Sequence, residues 1–321
     1  MYSPKYPRNY FEKRAFNKNQ KVIHLNVQAS LNTPSKINLF LKVLGKRTDG
    51  YHNLDTIFLP LKDLCDIITL NAKNGNEILI SCSNSEIPCD ARNLCYKAAK
   101  LYMEKASLKA SLKISIEKNI PITAGMGGGS SDAAATLLLL QKLFSALKPE
   151  ELSEIALKVG ADVPFFLNPK PSAGGGIGEI LAPVNVILDF TVVICAPLFP
   201  VSAAWAYKNI VTPGICENLC IETLIKYIND GNYVQILPFI KNDLAVSLYN
   251  KFPFLESIKS DLISFGLDAS EITGSGPTLF GITKDKKTAS KTILKMKNKY
   301  GPSVYLTQSS ILKTPYEIKY A

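Results

Sequence analysis

Histidine and tryptophan are nearly missing from this chain of 321 residues, which has two of the first and one of the second. Only His24 and His52 could join a metal cluster, and no Cys-x-x-Cys pair stands near either, so zinc-type ligand spacing is excluded. The seven cysteines (Cys65, Cys82, Cys89, Cys95, Cys195, Cys216 and Cys220) are odd in number and irregular in spacing. Reduced thiols in a cytosol-like compartment account for them most simply. No run of eighteen apolar residues exists. The nearest, Val184 to Val201, is broken by Asp189, Pro197 and Pro200, which excludes a membrane-spanning helix. No secretory apolar core follows the first residues, which argues against export. Arginine is scarce beside lysine, and no run of arginines and aromatics would build a base-stacking platform.

Acid is missing from one place in particular. Residues 1–30 carry Lys5, Arg8, Lys13, Arg14, Lys18 and Lys21 against Glu12 alone, half of the net charge of +10. They have no apolar period and read as a basic extension. An organelle transit peptide would look similar and would place the protein in a plastid stroma, although serine is scarce here. Without such a peptide the expectation is the cytoplasm. The chain as a whole is 46% apolar and 20% charged, which fits a globular chain and excludes disorder and coiled coil. At about 100–200 residues per domain, two domains are expected.

Lys36 to Val43 alternates polar and apolar residues in its main part, the pattern of a half-buried strand, and Gly45 to Tyr51 (GKRTDGY) reads as a turn. Strands follow at 54–61, 66–70 and 112–118, and helices at 93–105, 130–147 and 150–159. The stretch 168–178 (NPKPSAGGGIG) is the densest Pro/Gly punctuation and the expected domain junction or wide loop. Beyond it a strand begins at 192. Helices are expected at 203–209, 220–230, 241–249 and 254–265, then strands at 269–273 and 278–282, then a Lys-rich helix to about 300. Mixed elements without strict βα alternation indicate an α+β fold.

Four local signals carry chemistry. The strongest is Pro121-Ile122-Thr123-Ala124-Gly125-Met126-Gly127-Gly128-Gly129-Ser130-Ser131, leading into a helix. Glycines let backbone N–H groups approach an anion, and a helix N-terminus supplies further free N–H groups and a favourable dipole. Two hydroxyls there can donate to phosphate oxygens. The loop is not a Walker A, since no Gly-Lys-Ser/Thr follows. Asp132 reads as an acid in the first helical turn, favoured by the dipole. The second signal is Asp162 in Gly160-Ala161-Asp162-Val163-Pro164, either a cap or turn residue or a desolvated carboxylate. The third is Thr273-Gly274-Ser275-Gly276-Pro277-Thr278, equally a tight turn. The fourth is Lys36, which as a lone strand lysine would ordinarily be solvated.

Taken together, S-K-I-N-L-F-L with D-G-Y-H, the glycine loop, G-A-D-V-P-F-F and T-G-S-G-P-T, in this order and spacing, resemble the GHMP kinases, from residue 33 to about 310. The K-I-N-L-F-L and D-G-Y-H segments point to the branch whose substrate carries a cytidine diphosphate. The resemblance implies a ribosomal-protein-S5-like N-terminal domain (31–182) that binds ATP and a ferredoxin-like C-terminal domain (183–321) that binds substrate. It implies ATP and Mg²⁺ as cofactors, with the cation's ligands left open. It places the catalytic pair on Lys36 and Asp162 and the phosphate loop on Pro121 to Ser131. Asn38 would lie beside the reacting hydroxyl. Tyr51 and His52 would hold the cytosine, with Tyr207 facing Tyr51 across the cleft. Where the family often has Thr, this chain has Ala203. A small-molecule partner, no nucleic acid or membrane, and a monomer or weak homodimer are expected. Homoserine or mevalonate kinases are the nearest alternatives, and a basic S5-like nucleic-acid-binding protein is the alternative from another class.

Overall fold

A computed structural model describes residues 26–211, 214–314 and 319–320. The extension expected at 1–30 lies mostly outside these residues, but its last five do not belong to an extension. β1 (Asn26–Lys46) begins there and pairs antiparallel with β2 (His52–Lys73) along nearly its whole length. The strands expected at 54–61 and 66–70 are one strand for the same reason, because β1 supplies a continuous partner.

β3 (Ile78–Cys82) leads through α1 (Leu94–Lys105) to β4 (Ser111–Glu117), and β3 and β4 pair in parallel. Parallel neighbours need a crossover, which α1 provides; Asn93 caps it by accepting from the Cys95 N–H at 2.8 Å. α2 (Gly128–Phe144) is apolar on most sides, with Ala133, Ala134, Ala135, Leu137, Leu139 and Leu140 all buried, as befits a helix enclosed by neighbours. α3 (Pro149–Val159) and α4 (Val163–Leu167) complete this layer. β5 (Ser172–Gly175) pairs with Thr56–Phe58 of β2 and with β6 (Ile180–Pro183). The Pro/Gly-rich stretch is therefore part of the first sheet and not the crossing between halves. The crossing is the extended segment 184–190, whose Val184, Val186, Leu188 and Phe190 are alternately buried.

The second half runs β7 (Thr191–Pro197), α5 (Ala203–Lys208), α6 (Ile221–Asn229), α7 (Tyr233–Ile236), α8 (Ala245–Lys251), α9 (Phe254–Ser264), β8 (Ala269–Ile272), β9 (Leu279–Thr283), α10 (Lys286–Tyr300), β10 (Val304–Ser309). Its four strands lie in the order β10-β7-β9-β8, all antiparallel, the ferredoxin-like arrangement. β11 (Lys319–Tyr320) returns to the edge of the first sheet, beside β1. Ile37, Leu39, Ile57 and Leu59 of the first sheet share one buried cluster with Val192, Ile194, Phe280 and Ile282 of the second. That common core fixes the cleft between the halves.

Candidate active site

β1 carries the first two functional side chains. Its ladder with β2 slips between Pro34 and Lys36 and again between Asn38 and Phe40. Such bulges re-aim side chains beside active sites. Lys36 and Asn38 sit two residues apart, and Nζ of Lys36 donates to Oδ1 of Asn38 at 2.6 Å. Asn38 in turn donates through Nδ2 to Thr56 Oγ1 at 2.8 Å, and through its backbone N–H to Thr273 Oγ1 at 2.9 Å. Lys36 is buried, 4% exposed, which corrects the solvated-face expectation for a lone strand lysine. Burial holds its ammonium below the ordinary lysine range, and Asp162 partly offsets this.

Asp162 occupies the N-cap position of α4, yet its side chain makes no capping bond. The carboxylate faces the cleft instead, with Oδ2 3.7 Å from Lys36 Nζ. Of the readings left open by local sequence, the cap is removed, whereas Asp162 does lie in the turn ahead of α4.

The glycine loop follows β4. Gly125 and Gly127 hold left-handed conformations, at φ +74° and +72°. A Cβ on Gly125 would overlap the Thr273 carbonyl oxygen and come within 2.9 Å of the Gly276 nitrogen. The loop and the T-G-S-G turn thus pack backbone to backbone, and this close approach is why both are glycine-rich. Gly127 stands at the N-cap of α2, with Ser130 in the following turn. Ser131 is a correction. It is wholly buried, donates to the Pro34 carbonyl at 2.6 Å and bonds the Thr33 hydroxyl. Its hydroxyl braces α2 against β1 and does not reach a ligand. Successive helical residues point about 100° apart, so only one of two adjacent serines can face the cleft.

Asp132 is a second correction. It lies beyond the first turn of α2, is 4% exposed and packs inward. Oδ2 accepts from Lys118 Nζ at 2.7 Å, and the same ammonium pairs with the fully buried Asp66. Asp66 Oδ1 also accepts from the backbone N–H groups of Asn119 and Ile120, at 2.6 and 2.8 Å. The group ties β2, the loop's entry and α2 together. Burial pushes the Asp132 carboxyl up to about 8, with Lys118 opposing and Asp66 adding to the rise. Lys118 and Asp66 escaped the sequence reading. A lysine directly ahead of the glycine loop was the available signal.

Two cavities meet at this loop. The larger, about 730 Å³, is lined by Lys36, Asn38, Asp162, Tyr51, His52 and Tyr207, among others; the smaller, about 410 Å³, runs along Pro121 to Ser130 and reaches Ile87, Pro88, Asn93 and Leu94. Gly125, Gly127 and Ser130 line both. The residues at 87–94, which bring Ile87, Pro88 and Leu94 to this cavity together with Arg92 and Asn93, were also missed, because nothing in their local pattern separates them from an ordinary loop.

At the far end of the larger cavity the expected aromatic pair is different. Tyr207 stacks on His52, with ring centroids 5.5 Å apart and planes 19° apart. Tyr51 is 57% exposed at the rim. Facing rings come from His52 and Tyr207, not from Tyr51 and Tyr207. The separation is below the ~7 Å that a base stacked between two rings requires, twice a contact of about 3.5 Å. Burial and the nearby Lys46 lower the His52 imidazole, keeping it neutral at pH 7. Ala203 lines the cavity where a hydroxyl was expected from the resemblance.

Among the described residues no group of three or more His, Cys, Asp or Glu could hold a metal ion, and no helix is long and apolar enough to cross a membrane. The model for the GHMP kinases N terminal domain matches residues 93–169, and that for GHMP kinases C terminal matches 220–302. A 4-diphosphocytidyl-2-C-methyl-D-erythritol kinase of Clostridium perfringens is 39% identical over 277 residues, 86% of this chain and 96% of its own length. One from Chlorobium chlorochromatii is 38% identical over 257 residues, 79% and 88% of the two chains. A crystal structure of 4-(cytidine 5'-diphospho)-2C-methyl-D-erythritol kinase superposes with a TM-score of 0.75 at 29% identity, covering 88% of this chain and 98% of the other. A homoserine kinase from Cytophaga hutchinsonii shares the fold, with a TM-score of 0.75 at 15% identity over 98% and 100% of the chains.

Proposed function

We infer the reaction from the premise that this chain belongs to the 4-diphosphocytidyl-2-C-methyl-D-erythritol kinases, a family of GHMP kinases. It phosphorylates 4-diphosphocytidyl-2-C-methyl-D-erythritol in isoprenoid precursor synthesis, with ATP as donor. The observation that carries the division of labour is the junction of the two cavities at Gly125, Gly127 and Ser130, beside Lys36 and Asp162. ATP takes the smaller cavity, its base against Ile87, Pro88 and Leu94 and its phosphates on the loop. The cytidyl substrate takes the larger one.

Phosphoryl transfer depends on positioning and on charge stabilisation. Asp162 accepts the proton of the substrate's 2-hydroxyl as that oxygen bonds the γ-phosphorus and the bond to the ADP oxygen breaks. Lys36, desolvated and 3.7 Å from the Asp162 carboxylate, faces the incoming charge. Asn38 fixes the Lys36 ammonium. Backbone N–H groups at the start of α2, with the Ser130 hydroxyl, hold the transferring group. Mg²⁺ would add charge neutralisation at the phosphates. The seven cysteines are all unbonded, which fits action in a reducing cytosol.

Coupled ADP release with the cytidyl substrate tests the assignment; turnover with homoserine or mevalonate in its place would overturn it. Two variants test the subsites. Gly128→Val drives a branched side chain toward Lys118 Nζ, which a Cβ alone would meet at 2.9 Å. The ATP Michaelis constant is expected to rise on the order of tenfold or more, since small misplacements of a phosphate cradle are costly, while cytidyl binding changes little. Tyr207→Ala removes the ring against which cytosine stacks once His52 withdraws. Base stacking is worth about 1–3 kcal/mol. The Michaelis constant for the cytidyl substrate should therefore rise about tenfold or more, and that for ATP should not follow.

A further inference from the structure

The larger cavity is electrostatically unbalanced. Its lining holds three lysines, Lys36, Lys46 and Lys208, and one acid, Asp162. Lys36 is engaged by Asp162 and Asn38 at the reacting end. Lys46 and Lys208 make no ion pair among the described residues, whereas Arg47, next to Lys46, is matched by Asp49 at 2.8 Å. Two positive charges are left over.

Their placement matters more than their number. Lys46 ends β1 and lies directly opposite His52 in the ladder with β2. Lys208 ends α5, next in sequence to Tyr207. His52 and Tyr207 are the two stacked rings. His52 therefore has Lys46 as its cross-strand partner and Tyr207 has Lys208 as its chain neighbour, one lysine from each half of the chain, and both line the cavity. The effect of Lys46 on the His52 imidazole places that ammonium within electrostatic reach of the ring. A ligand that satisfies this arrangement has a flat ring and, attached to it, an anionic group of two charges. A neutral nucleoside would leave both lysines unmatched.

We propose that Lys46 and Lys208 form a two-sided clamp for the diphosphate of the cytidyl substrate, closing across the cleft as the two halves grip it. This rests on the cytidyl reading given above. Neither lysine belongs to the phosphate loop or to the reacting pair. They determine which substrates are held, by requiring a diphosphate between the base and the alcohol.

The test uses the full-length protein and three competitors of the cytidyl substrate: cytidine, CMP and CDP. Inhibition constants are measured for wild type, Lys46→Met, Lys208→Met, the double variant and the corresponding Arg variants. In the wild type, CDP should bind at least about tenfold tighter than cytidine, equivalent to about 1.4 kcal/mol. Each Met variant should lose most of that preference and the double variant all of it, with cytidine binding and the ATP Michaelis constant unmoved. The Arg variants, which keep the charge, should keep the preference. If CDP and cytidine bind the wild type equally, or if the folded double variant still prefers CDP as the wild type does, the clamp is wrong and the cytidyl reading survives. If no cytidine compound competes with substrate at all, both fall together.

Discussion

Asp162→Asn is expected to leave a folded protein that binds both substrates and turns over at least about a hundredfold more slowly. The amide keeps the shape of the carboxylate and cannot accept a proton, and a positioned general base contributes about 10²–10⁴-fold. The carboxylate caps no helix and is a third exposed, so its replacement opens no buried void and leaves no helix end bare. A second consequence follows from Lys36. Burial already lowers that ammonium, and Asp162 is what raises it. With Asp162 neutral, Lys36 should lose its proton at a lower pH than in the wild type. The residual activity should then fail earlier on the alkaline side. Single-turnover rates across pH read both effects. Turnover within about threefold of wild type, with ATP affinity intact, would remove Asp162 from the role of base.

Much of this site was legible because it lies in short, dense segments. The glycine loop, G-A-D-V-P and T-G-S-G-P-T each announce a turn with special backbone demands, and the structure brings all three within contact of Lys36. What stayed hidden depends on which way a side chain points or on distant chain. Ser130 and Ser131 are alike as letters, and helical geometry alone sends one to the cleft and the other under β1. Tyr51 and His52 are adjacent at a turn and a strand start, and the packing of α5 across the cleft chose His52 as the neighbour of Tyr207. Asp66 and Lys118 are separated by a helix and two strands, and meet only because β2 and β4 pair with Ile67 opposite Glu117. In the second half the helices were easier, since they carry clear buried stripes, as at Ala289, Thr292 and Met296 of α10, whereas the edge strand β10 was not read. The long β1–β2 ribbon was read only in pieces, from the alternation at 36–43 and the runs at 54–61 and 66–70, because its continuity comes from the pairing of the two strands with each other.

The largest effect on stability is expected at Lys118, which no chemistry in the mechanism requires. Its ammonium is almost wholly buried between Asp66 and Asp132. Burial alone would lower it, and the two carboxylates overcome that and raise it. Lys118→Met keeps the length and removes the charge, leaving the buried Asp66 carboxylate without its counter-ion beside a protonated Asp132. Breaking a buried ion pair from one side costs about 3–5 kcal/mol, because the partner's charge is left uncompensated. One Asp132 oxygen already has no hydrogen-bond partner, so little else can absorb the surplus. Asp132→Asn should behave oppositely. The amide oxygen can still accept from Lys118, and the group can no longer ionise beside Asp66 as pH rises. The folded-state carboxyl of Asp132 sits far above its unfolded value of 3.8, at about 8. Its contribution to wild-type stability is therefore present below about pH 4 and lost as pH rises through about 8. Thermal unfolding of the two variants across that window should diverge: Lys118→Met below wild type throughout, Asp132→Asn gaining on wild type as pH rises. If Lys118→Met melts with wild type at pH 7, the three groups do not act as a charge-balanced unit. If Asp132→Asn shows the same pH profile as wild type, the proton on Asp132 is not what the balance turns on.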